Sequence, residues 1–205
     1  MDNLEKKESE VAAKERLIEL IDDFPTRAKI ELLQLVNGLR PVAEITVIPK
    51  FKDKMVPNIE SLKGLGFVIA QRERSRGIVT YFVSKDQQLV DEAIHSEDHR
   101  RFGELMGFPE SSIKAFVDRK NGSLLEDEEL VQKIGFENYC FPLKISKNMA
   151  EDEVLYLRES YRILLEQMPQ LIDKMLPPRV DREEFKRKVS AFVYDHDSDS
   201  GNEGM

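Results

Sequence analysis

Residues 97–119, EDHRRFGELMGFPESSIKAFVDR, constrain the fold most, because two amphipathic helices meet there at Gly107-Phe108-Pro109. Phe102, Leu105 and Met106 fall at i, i+3, i+4, and Ile113, Phe116 and Val117 repeat that spacing, so each helix carries one apolar face. Gly107 suits the left-handed residue that closes a helix, and Pro109 suits the opening of the next. Such a junction brings two greasy faces close together. A DNA-reading helix-turn-helix has the same outline, but residues 97–120 hold five cations and five acids, without the cationic surplus that grips phosphates. Core packing is the expected role.

Two further stretches demand a sheet. GFVIAQRE (66–73) and GIVTYFVS (77–84) alternate like paired strands, and Arg74-Ser75-Arg76-Gly77 joins them as a hairpin. VAEITVI (42–48) reads as another strand, ended by Pro49. FENYCFPL (136–143) reads as a strand or extended segment, restricted by Pro142 to an edge or an end. Between these lie helical patterns: 8–23 with Leu17, Ile18 and Ile21; Thr26, as N-cap, to Val36; and a short turn over NIESLK behind the loop PKFKDKMVP. A capping box of Ser84 and Gln87 predicts a helix carrying Leu89, Val90, Ala93 and Ile94. Glu126–Ile134 stops at Gly135, Ser146 caps a long helix over 148–167, QLIDKML follows Pro169, and Arg182–Tyr194 closes the series.

The expected fold is α+β, a small antiparallel sheet covered by the central helix pair and the long helix, with helical N- and C-terminal extensions. Its expected organisation is a helical hairpin over 1–40, a core with C-terminal helices over 41–194, and a disordered acidic tail over 195–205. The terminal helices offer surfaces for homo-oligomers.

A chain of 205 residues, 40% hydrophobic and 34% charged, buries a sizeable core. No apolar run approaches the roughly 20 residues that span a bilayer, so no membrane partner is expected. The opening MDNLEKKESE lacks the apolar core of a signal peptide, and Cys140 has no second cysteine to pair with. Cytoplasmic residence follows as the expectation.

The net charge of −8 argues against broad binding to nucleic acid, yet it is unevenly spread. Residues 49–77 hold seven cations and three acids, a segment of +4 against −12 elsewhere. Lys50, Lys52, Lys54, Arg72, Arg74 and Arg76 form the candidate anion-binding set, with the three arginines alternating along a strand end to track phosphates. Phe51 and Tyr81 are the aromatics placed to stack on bases. The plain reading is a charged turn that keeps an edge strand soluble.

His95 and His99 stand four apart in HSEDH, the spacing by which one continuous helix presents two nitrogens to a divalent metal. Asp98 joins them as a candidate ligand; Asp91, Glu92, Glu97 and Cys140 are further candidates. The sequence departs from both helical zinc-protease patterns, with Ser96 and Asp98 where glutamates are needed. Cys140, in the apolar NYCFP, reads as a small core hydrophobe, and a Cys-His nucleophile would need His95 or His99. GxxxxGK[ST], GxGxxG and GxSxG are absent from the sequence.

HRRFGELMGFPESSIKAF, with YFVSKDQQLVDEA upstream, resembles an uncharacterised prokaryotic family, many of whose members are archaeal, known as a domain of unknown function (DUF483). Gly103, Gly107, Phe108 and Pro109 match its turn, while Ser111 and Ser112 stand where that family carries two cysteines. Any metal or redox role of those cysteines is thereby lost here, and the resemblance implies no established activity. The expected function is non-enzymatic binding of a phosphate-bearing ligand, nucleic acid or acidic protein through the basic surface. A metal-dependent enzyme on His95, Asp98 and His99 is the first alternative. A structural role, in which the basic segment meets a neighbour's acidic tail or helices, is the second.

Overall fold

The structure, a computed structural model, describes residues 15–118, 124–141 and 145–194. The chain divides between Gly107 and Phe108, inside the junction that the sequence marks, into two units. The first contains the helix over 15–21 (α1), α2 (Thr26–Val36), β1 (Ala43–Val47), a 3₁₀ turn (Pro49–Phe51), α3 (Lys52–Gly64), β2 (Val68–Glu73), β3 (Val79–Ser84), α4 (Gln87–His95) and α5 (His99–Leu105).

β3 is the centre of a three-stranded antiparallel sheet of order β1-β3-β2. Its run VTYFVS is rich in β-branched and aromatic residues, and all six are buried. Ile45 faces Tyr81 and Glu44 faces Phe82 from β1; Gln71 and Ala70 face the same two from β2. α2 packs along β1, and α4 packs on β2 and β3. From α5, the Phe102 ring meets Phe82 edge-on with centroids 6.4 Å apart.

Behind β1 runs a buried polar network. Arg40 lies 3.2 Å from the Glu31 carboxylate and donates to the Val42 carbonyl at 3.0 Å, while Glu31 also accepts from the Glu44 amide at 2.8 Å. A buried pair of this kind contributes registry more than net stability, but stranding one partner costs about 3–5 kcal/mol.

Several boundaries move. Thr26 is the first helical residue, behind Pro25, and makes no cap. The cap of α4 is Asp86, which accepts from the Gln88 amide, whereas the Ser84 hydroxyl is spent on the Pro41 carbonyl. The stretch read as a loop and short turn is a 3₁₀ turn running into a 13-residue helix, with Pro57 inside α3. Met55, Ile59 and Leu62 explain this: their spacing buries one stripe of α3 in the core, which outweighs one missing amide donor.

The second unit comprises α6 (Glu110–Asp118), α7 (Asp127–Ile134), α8 (Glu151–Gln167), α9 (Pro169–Met175) and α10 (Arg182–Tyr194). Within this unit α8 packs against α6, α9 and α10. No strand forms over 136–141; residues 142–143 of that expected strand lie outside the described residues. Asn138 accounts for this, because its side chain bonds both the amide and the carbonyl of Phe141 and makes a turn. Phe136 meets Tyr161, Phe185 and Phe192 edge-on at 5.3–5.5 Å, forming the aromatic core. Ser146 pairs with Leu124 in an isolated bridge, and α8 begins at Glu151. The expected helical residues 8–14 and the tail 195–205 also lie outside the described residues.

Candidate functional site

The two basic stretches meet at one end of the sheet. Val47, Val79 and Glu73 stand opposite one another where β1 ends, β3 begins and β2 ends. Beyond them Pro49 presses on the hairpin loop, so closely that a Cβ on Gly77 would lie 3.3 Å from Pro49 Cγ. The loop turns through two left-handed residues, Arg76 (φ 62°) and Gly77 (φ 70°). A type of turn that favours glycine thus holds an arginine at its tip.

The six candidate anion-binding residues have different fates. Lys50 lies 4.8 Å over the Phe51 ring. Lys52, Lys54 and Arg76 are exposed and pair with no described acid. Arg74 is exposed but paired, 2.8 Å from the Glu44 carboxylate. Arg72 is turned inward, donating to the Ile94 carbonyl at 2.9 Å and resting on the Phe82 ring. The three arginines therefore form no shared phosphate-tracking row: Arg72, inside β2, is bound by the end of α4, Arg74, just past β2, is held by Glu44, and Arg76 sits in the left-handed turn. Lys50, Lys52, Lys54 and Arg76 remain as cations open to a ligand. Of the two aromatics considered for stacking, Tyr81 is only 6% exposed, in the core, while Phe51 is 48% exposed beside Lys50. Ile48 and Val56 are exposed near it in sequence.

His95 and His99 do not share a helix. α4 ends at His95, Ser96 is extended, and Asp98 caps α5 by accepting from the Arg100 amide at 2.8 Å. The premise of two imidazoles one turn apart thus fails, and Asp98 has a structural task. Among the described residues no three His, Cys, Asp or Glu side chains gather as a metal would require. Of the further ligand candidates, Glu92 is bound by Arg101, which lowers its pKa, and Asp91 accepts from Gln87. Cys140 is buried, and that burial pushes its thiol up to about 12, far from a thiolate nucleophile at neutral pH.

Sequence reasoning missed the carboxylate cage at the start of α8. Asp152 accepts from the Ser111 hydroxyl and amide, and fully buried Glu153 accepts from Ser112, Ser146 and Ala150. Ser111 and Ser112, the first serines of α6, are both engaged there. An acidic pair opening a long helix is the visible signal, but its partners Ser111 and Ser112 are 41 residues away.

No family model, curated protein or solved structure matches this chain. No helix among the described residues is long and apolar enough to cross a membrane.

Proposed function

We propose that this is a binding protein which contacts a phosphate-bearing or acidic partner through the end of its sheet, using Lys50, Lys52, Lys54 and Arg76. The approach of Pro49 to Gly77 carries this reading, since it sets two separately encoded basic segments side by side. Cations without carboxylate partners attract a polyanion at long range, and the acidic remainder of the chain confines that attraction to one place. Arg72 and Arg74 serve the fold, through Ile94 and Glu44.

The test is binding of polyphosphate at low ionic strength, compared between the native chain and a variant carrying Lys50→Glu, Lys52→Glu, Lys54→Glu and Arg76→Glu. The native chain binds and the variant does not, with circular dichroism unchanged. Equal binding by both places the polyanion elsewhere, and no binding by either ends the reading.

A further inference from the structure

The cationic end of the first unit's sheet invites a narrower identification of its partner, one that rests on the reading above. We propose that this surface takes a single-stranded nucleic acid, its backbone passing Lys50, Lys52, Lys54 and Arg76 while one base stacks on Phe51. The argument begins with Phe51. It is the most exposed aromatic described in this unit, and it opens α3 between two lysines. Lys50 sits 4.8 Å from the ring centroid, which steadies the ring next to a positive charge. An aromatic platform beside cations that follow a chain of phosphates is the arrangement by which proteins hold unpaired strands without reading their sequence.

Competing partners fit less well. A duplex needs a helix or ribbon that enters a groove, whereas here the cations sit on a 3₁₀ turn, the first turn of α3 and a loop tip. A bilayer surface needs an amphipathic helix with its apolar face free, but Met55, Ile59 and Leu62 of α3 are committed to the core. An acidic protein segment would satisfy the lysines and leave the ring without a defined role.

Four cations on a single strand predict a log–log salt dependence with a slope of about −3. Binding is measured by fluorescence anisotropy with a short labelled oligouridine, in parallel with polyphosphate and phosphatidylserine vesicles. Phe51→Ala weakens oligouridine binding by about tenfold and leaves polyphosphate binding unchanged. Oligouridine binding that is indifferent to Phe51→Ala, while polyphosphate still binds, overturns this proposal and leaves the broader reading standing. Vesicle binding that depends on Phe51, without oligouridine binding, overturns it in favour of a lipid surface. Failure of all three probes to bind removes both.

Discussion

The Ser112 hydroxyl donates to Glu153 Oε1 at 2.6 Å, closing a set of donors around a carboxylate with no exposed surface. The Ser146 amide and hydroxyl donate at 2.7 and 2.6 Å, and the Ala150 amide at 2.8 Å. No described cation pairs with Glu153; its charge is held by these donors and by its place in the first turn of α8. The Ala150 bond is the reach-back half of a capping box. One side chain thereby joins α6, the 146–150 turn and α8.

Glu153→Gln tests that arrangement, because the amide keeps the shape but sets an NH₂ group against donors. The variant loses about 2–4 kcal/mol of unfolding free energy, and Ser112→Ala about 1–2 kcal/mol. Urea denaturation measures both. Midpoints equal to the native chain's would mean that the cage contributes nothing.

Gly107→Ala tests the tight turn that closes α5. Gly107 has φ 72°, and a Cβ there would lie 2.5 Å from the Leu39 carbonyl oxygen and 2.6 Å from Arg40 Cα. Backbone atoms cannot swing aside as a side-chain tip can. The variant is destabilised by about 2–5 kcal/mol, which a thermal melt records as a large fall in midpoint.

Alkaline conditions expose the buried thiol. Cys140 has its ordinary 9.0 raised to about 12, chiefly by burial, so between those values the unfolded chain releases a proton that the folded chain retains. This contribution to stability is whole below pH 9 and falls as the pH rises toward 12, by about 1.4 kcal/mol per pH unit. Burial raises Tyr161 as well, in the same destabilising direction above its ordinary 10.0. Cys140→Ala therefore flattens the decline of stability above pH 9 without abolishing it. Superimposable alkaline limbs for the two proteins would contradict this.

What the sequence made legible was local. The hairpin, the β-rich strand before Pro49, Gly135 closing α7 and the span Arg182–Tyr194 all follow from short-range pattern. Partners distant in sequence were not legible. Phe116 and Val117 have the spacing of a buried face, yet α6 buries Ser112, Ile113 and Ala115, and Phe116 is 40% exposed. The hydroxyl of Ser112 has a carboxylate 41 residues away, and periodicity cannot know that. The basic set divided for a like reason: six cations near in sequence look alike, while the Ile94 carbonyl and Glu44, both distant in sequence, decide which stay free. Pro49 and Pro57 disguised the length of α3, because a helix that buries Met55, Ile59 and Leu62 tolerates an internal proline.

Amide chemical shifts during a polyphosphate titration test the central claim most directly. The account predicts perturbations concentrated in residues 48–56 and 74–78, the two segments that Pro49 and Gly77 bring together, and their disappearance at high salt. Perturbations confined to one of these segments, spread over the acidic remainder of the chain, or missing altogether would contradict it.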